Sequence, residues 1–289
     1  MKKRTKKILY YTTVLVLAAV FLYSSISLII YFVDSKQSTG KYNELASMVA
    51  QKRPDIKLPL PNTDTTEPNQ SGGTQDATEP TESPWVTITH PDTGEVVELL
   101  PEFADLFLLN PDAVGWISID GTNINYPVVQ TEIDNPNYYL NRNFDGKDSL
   151  RGCIYVNEYC NVFKPSDNVT IYGHRMNDDT MFGELGSYMY KSFWEKHQYI
   201  RFDTLQERHL YQVICVFSTS ANEGEGFTYH RFIDARDALQ FDAFVKQCQI
   251  LSYYETGIDA EYGDKLITLS TCEYTRSNGR LVVVAKRVA

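Results

Sequence analysis

Two runs near the C-terminus decide the fold class: Leu266-Ile-Thr-Leu-Ser-Thr-Cys272 and Arg280-Leu-Val-Val-Val-Ala-Lys286. Each has the length of a strand and is rich in the β-branched residues that pack well on a pleated surface. Similar runs precede them at Cys153-Ile-Tyr-Val-Asn157, Asn168-Val-Thr-Ile-Tyr-Gly173 and His209-Leu-Tyr-Gln-Val-Ile-Cys-Val-Phe217. Asn123-Ile-Asn-Tyr-Pro-Val-Val-Gln130 partly alternates and reads as a strand whose proline places it near an edge or a bulge. Helical patterns are fewer: Phe103 to Leu109, Met181 to Tyr190 and Ala235 to Leu251. In the last of these Leu239, Phe241, Phe244, Val245 and Cys248 mark an apolar stripe. Short strands with few helices predict a mainly β fold, a closed or nearly closed barrel with peripheral helices. A doubly wound parallel sheet would need regular strand–helix alternation, which the pattern lacks.

The 289 residues carry 27 basic and 37 acidic side chains, a formal net charge of −10. With 43% hydrophobic and 13% aromatic residues the chain can build a sizeable core, which excludes wholesale disorder. Acidity argues against a nucleic-acid partner, and five cysteines are too few for a disulfide-stapled scaffold. The charge is unevenly placed. Five of the bases lie within residues 1–7, which leaves 22 bases against 37 acids in the remainder. Ile8 to Val33 then runs 26 residues without a charge. At about 1.5 Å per residue that is long enough to cross a hydrocarbon core about 30 Å thick, and no small-residue cleavage site follows its edge. The expected topology is an uncleaved single-pass membrane anchor, residues 8–33, with a cytoplasmic basic tail, residues 1–7, and the C-terminal bulk outside the cell.

Residues 34–60 form a juxtamembrane segment in which Lys41 to Gln51 can continue as a short helix before Pro54. Composition then shifts. Residues 61–84 contain no aromatic and no large aliphatic residue, while Thr, Pro and acidic residues dominate. Such a segment cannot offset its ordering entropy by burial, so it reads as a disordered spacer. The globular text runs from Trp85 to Ala289.

Which residues bear chemistry? Cys153, Cys160, Cys215 and Cys248 stand where a small hydrophobe suits, with a Cys153–Cys160 disulfide left open. Cys272 differs, because it ends an apolar strand and opens a polar loop. A thiol becomes useful beside a base or a positive charge. His174 has the best setting, after Val169-Thr-Ile-Tyr-Gly173, while His90, His197, His209 and His230 read as ordinary surface imidazoles. If the loop after Cys272 turns as a hairpin, Arg280 returns beside the thiol, where a guanidinium stabilises a thiolate or an oxyanion. Arg276 is a rival for that task. No histidine pair or Cys-x-x-Cys has metal-ligand spacing, and no glycine-rich phosphate loop is present.

Thr268-Leu-Ser-Thr-Cys272 with Glu273-Tyr274, followed by Arg280 to Lys286, resembles the signature of the sortases, cysteine transpeptidases of the Gram-positive cell surface. Ile171-Tyr-Gly-His174-Arg-Met resembles their histidine motif. Val114-Gly-Trp-Ile-Ser-Ile, Ile124-Asn-Tyr-Pro-Val-Val-Gln130 and Tyr138-Tyr-Leu-Asn141, with the long helix before the last strands, resemble class B. The resemblance implies a closed sortase-type barrel over residues 85–289 and no metal or other cofactor. Cys272 would be the nucleophile that forms a thioacyl enzyme, its active form a thiolate–imidazolium pair with His174. His174 would protonate the leaving amine and activate the incoming one, and Arg280 would hold substrate and oxyanion. Ser270, Thr271, Glu273 and Leu140 would line the substrate groove, and the Asn135-Pro-Asn137 spacing leaves a matching asparagine open. The implied partners are secreted proteins bearing a C-terminal sorting signal of Asn-Pro-x-Thr or Pro-x-Thr-Gly type, and an amine of a lipid II-type peptidoglycan precursor. Two alternatives stand beside this: pilus polymerisation onto a pilin lysine, and an anchored binding module whose cysteine has no catalytic role.

Overall fold

The computed structural model describes residues 3–54, 85–222, 224–275 and 278–289. The expected spacer at 61–84 and the rival Arg276 lie outside the described residues. The first element, α1 (Lys3–Lys52), is one 50-residue helix that runs through the apolar stretch and on past it without a break. A hairpin of β1 (Val86–Thr89) and β2 (Val96–Leu99) follows, then the short α2 (Ala104–Leu109). Next come β3 (Ala113–Ser118), β4 (Asn125–Val129), β5 (Ile154–Val156), β6 (Asn168–Tyr172) and the one-turn helix α3 (Lys191–Trp194). The chain ends with β7 (Tyr199–Thr204), β8 (Leu210–Ser220), α4 (Ala238–Leu251), β9 (Leu266–Glu273) and β10 (Gly279–Arg287).

Among the described residues eight strands close a barrel in the order β10-β8-β7-β3-β4-β5-β6-β9. Helices stand outside it, as the strand-rich pattern predicts. Two clusters explain why Leu281 to Ala285 is a continuous apolar run rather than an alternating one. Leu281, Val283 and Ala285 face the barrel interior with Ile267 and Leu269. Val282 and Val284 face outward into a second cluster with Phe217 and the buried face of α4, Phe241, Phe244, Val245 and Cys248. A strand covered on both sides has no solvent face on which to place polar residues. Asp237 caps α4 by accepting from the Gln240 amide at 2.9 Å.

Several sequence expectations are corrected. Leu239 lies on the face of α4 turned away from the stripe and is 81% exposed. Met181 to Tyr190 is a 3₁₀ turn, Glu184–Met189, rather than an α-helix, because Met181 adopts φ 53° and Gly183 packs against the Met176 carbonyl. Pro127 sits in a strand of the closed barrel opposite Trp116; the β3 bulge lies beside it, opposite Val128 and Val129, and β5 pairs only with those two residues, so no β5 partner faces the missing N–H. Cys153 and Cys160 are both buried free thiols.

Residues 38–53 tie α1 to the barrel. Ser38, Tyr42, Leu45 and Val49 recur at spacings of four, three and four and are all buried. Burying Tyr42, Leu45 and Val49 contributes about 1.5–3 kcal/mol apiece. Arg53 pairs with the buried Asp203, and Lys41 meets Asp145 at 3.1 Å. Tyr42 Oη donates to the Gly152 carbonyl at 2.9 Å. Gly152 itself stands at φ 57°, where an added Cβ would lie 2.4 Å from the Leu140 carbonyl oxygen. Left-handed strain and a backbone clash therefore coincide. Gly152→Ala is expected to lower the melting temperature of the full chain in detergent by more than about 5 °C, read by circular dichroism.

Candidate active site

The register of three strands assembles the site. β9 and β10 pair antiparallel with Cys272 directly opposite Arg280. Residues so opposed share a face with Cβ atoms about 4.5–5.5 Å apart, so the guanidinium returns beside the thiol. On the other side β9 pairs parallel with β6, Tyr172 opposite Ser270. The Gly173 amide donates to Ser270 O at 3.2 Å and Thr271 Oγ1 donates to Gly173 O at 2.8 Å, which carries the alignment past the end of β6. His174, the next residue, is thereby set level with Cys272. An added Cβ at Gly173 would strike Ile154 and Phe182, so glycine is required for this close approach.

Cys272, His174, Arg280, Ser270, Thr271 and Leu140 all line one groove of about 330 Å³. Glu273 does not. It is buried beneath the loop, where its carboxylate accepts from the Thr275 amide at 2.9 Å and from Thr275 Oγ1 at 2.7 Å. Ser270 Oγ is engaged with Tyr229 Oη at 2.6 Å, so Ser270 and Thr271 shape the floor through hydroxyls that are already bonded. His174 Nε2 lies 2.7 Å from the Leu140 carbonyl oxygen. A carbonyl only accepts, so Nε2 carries the hydrogen in this arrangement. Arg280 Nη1 donates to Gly279 O at 3.0 Å, which fixes one edge of the fork and leaves the rest toward the groove.

Accessibility separates the five thiols. Cys272 is half-buried while the other four are buried. Burial pushes Cys153 and Cys160 up to about 12 and Cys248 well above the ordinary thiol range. A wider hollow of about 820 Å³, walled by Glu132, Tyr159 and Phe163, shares only Glu158 with the groove. Its one thiol is the inert Cys160, so the chemistry belongs to the smaller groove.

Further residues on the groove wall escaped sequence reading, among them Tyr155, Asn157, Glu158, Tyr172 and His230. Tyr155 and Tyr172 are cross-strand partners with ring centroids 5.4 Å apart. Burial pushes the Tyr155 hydroxyl up to about 12, which keeps it a neutral donor at the groove. An aromatic in a strand reads the same whether it fills a core or walls a groove, so no sequence signal marked them. His230 is corrected from a surface imidazole: it is half-buried, and burial followed by the charges of Arg231 and Arg280 lowers its pKa. His209 is likewise buried rather than superficial.

A half-buried thiol held between an imidazole and a guanidinium on a closed barrel directs comparison with known proteins. The family model of the sortase domain matches residues 117–288. Sortase B of Staphylococcus aureus is 33% identical over 188 residues, covering 64% of this chain and 74% of that one. The chain belongs to the sortases, and within them to class B. Like other members it is a cysteine transpeptidase. The crystal structure of sortase B from Bacillus anthracis in complex with AAEK1 superposes with a TM-score of 0.64 at 28% identity, covering 89% of this sortase and 99% of that chain. The Staphylococcus aureus sortase B–substrate complex gives 0.60 at 32% identity, over 66% and 86%. The barrel of this sortase is thus the class B barrel.

Proposed function

We propose that this sortase is held in the membrane by residues 8–33 and transfers secreted proteins to the cell wall. Cys272 is the nucleophile, His174 the acid and base, and Arg280 the oxyanion and substrate clamp. The Cys272 sulfur attacks the scissile carbonyl of a C-terminal sorting signal, forming a C–S bond as the C–N bond breaks. His174 gives its proton to the departing amine. An amine of the peptidoglycan precursor then attacks the thioester, His174 takes its proton, and the C–S bond breaks to free Cys272. Arg280 meets the developing oxyanion with a planar fork that needs no reorganisation.

The observation that carries this reading is the direct pairing of Cys272 with Arg280 beside the His174 strand in one open groove. The 26-residue uncharged run within α1, with a mean hydropathy of 2.4 in its most apolar window, supports the anchor. Five bases ahead of that run favour a cytoplasmic N-terminus and an external barrel.

The test uses the full chain in detergent micelles with peptides of Asn-Pro-x-Thr and Pro-x-Thr-Gly type, with and without an oligoglycine or diamine acceptor. We expect cleavage of one peptide type and an amide product with the acceptor. A thiol-directed probe should label Cys272 ahead of the other four cysteines. Uniform labelling with no cleavage would return the chain to an anchored binding module, whereas acceptance of a pilin lysine alone would make it a pilus polymerase.

A further inference from the structure

Among the described residues Arg151 is the most thoroughly buried cation, 1% exposed by its side chain. It stands between two carboxylates from different parts of the chain. Nη1 and Nη2 donate to Asp178 at 3.0 and 2.6 Å, and Nη1 also meets Thr180 Oγ1. Its buried Nε has no hydrogen-bond partner and faces Asp34 Oδ2 of α1 at 4.0 Å. The Tyr31 ring, one turn earlier on α1, lies 5.6 Å from the guanidinium. Ser35, also on α1, donates to Asp178 at 3.4 Å.

Asp178 and Thr180 are the tip of the loop that begins at His174. That loop closes on itself through the Arg175–Met181 bridge and the bond from the Phe182 amide to His174 O at 2.9 Å. It also holds Asp179 at φ 59° and Met181 at φ 53°, left-handed geometry that non-glycine residues keep only when their surroundings impose it. Arg151 holds the residues on either side of Asp179, and the Met181 amide donates to Tyr126 Oη at 3.0 Å. The hydrogen bonds Arg151 gives Asp178 hold that carboxyl well below the usual carboxylate range.

The same segment reaches His174 from its other side. Gly152 packs against the carbonyls of Tyr139 and Leu140, and the Cys153 amide donates to Tyr139 O at 3.0 Å. Leu140 O is the acceptor that orients His174 Nε2. Tyr42 of α1 grips Gly152 O. Both the loop that carries the imidazole and the carbonyl that orients it therefore rest on residues 151–153, which α1 seats.

We propose that Arg151 is a positioning residue that couples the juxtamembrane part of α1 to the imidazole of His174, so that seating of the anchor helix sets the competence of the active site. The proposal rests on the role assigned to His174 above. A displacement of the imidazole by about 1 Å is enough to cost on the order of a hundredfold in rate.

Arg151→Ala would empty a buried position and take from the loop the hydrogen bonds that hold Asp178 and Thr180, so the decisive variant is Asp34→Asn, on α1 and outside the groove. In the full chain in detergent we expect kcat for sorting peptide to fall on the order of tenfold, with KM within about twofold and melting temperature nearly unchanged. Asp178→Asn should behave alike, and the double variant should be no worse than the poorer single one, since both cut the same linkage. The rate of Cys272 alkylation by iodoacetamide supplies a readout free of substrate and should change in both variants. Wild-type kcat and alkylation rate in Asp34→Asn overturn the coupling, as does a loss of melting temperature with unchanged turnover per active thiol. If the wild-type chain cleaves no sorting peptide, the functional reading fails while the alkylation comparison still decides the coupling.

Discussion

Cys272→Ala should abolish transpeptidation, with kcat falling by a factor of at least about 10⁴ and reaching the uncatalysed background. No other thiol can substitute. Cys153, Cys160, Cys215 and Cys248 are buried, and the groove is lined by Cys272 alone among them. The substitution removes one sulfur from a half-buried position on a strand whose other contacts are untouched, so the melting temperature should stay within a few degrees. Mass spectrometry supplies the second readout: wild-type enzyme incubated with a sorting peptide and no acceptor should carry a thioacyl adduct, and the variant none. Residual turnover by Cys272→Ala would eliminate the thioacyl mechanism.

Arg280→Lys should lose on the order of 10²–10³ in kcat, the cost of removing one preorganised oxyanion donor. The charge is conserved, but the planar fork is not, and a lysine ammonium on its flexible stem cannot hold one edge on the Gly279 carbonyl while presenting another to substrate. KM should rise less than kcat falls, because the interaction strengthens as charge develops. The register argues for this residue. Arg280 stands opposite Cys272 in a ladder that continues through Lys286 and Leu266, so its place is set by seven further pairs rather than by a loop. Wild-type rates in Arg280→Lys would return the role to Arg276.

The site's three principal residues were legible because they punctuate runs that read clearly as strands. Cys272 and Arg280 flank the turn between β9 and β10, and His174 follows β6 by two residues; each marks a change from apolar to polar text. The barrel was legible for the same reason in β5, β6, β8, β9 and β10. β3 was obscured by Gly115, whose missing Cβ admits the Asp203 carbonyl of β7 but which alone reads as a break. β7 alternates, with Ile200 and Phe202 buried; the charge at Asp203 hides it, and that charge is buried against Arg53 from far along the chain. Glu273 followed the nucleophile in sequence, yet the turn of β9 directs it beneath the loop. Tyr155, Tyr172 and His230 reach the groove through pairings that no local pattern expresses. The seat of α1 was invisible for a related reason: Tyr42, Leu45 and Val49 form a narrow stripe whose meaning depends on the surface opposite.

The two strands that bring thiol and imidazole together have a consequence for how the enzyme matures. Thr271 and Gly173, bonded across the parallel β6–β9 contact, are 98 residues apart in the chain. Parallel pairing of such distant segments must meet its loop-closure entropy before any contact repays it, so it belongs to the slow, late part of folding. β9 and β10 are also the last strands of the chain and the ones that close the barrel. The full reactive centre therefore requires the β6–β9 pairing. The thiol meets its guanidinium within the short β9–β10 hairpin, but it meets its imidazole only through the distant β6–β9 pairing, so a chain that has formed the hairpin alone holds a thiol with a cation and no base.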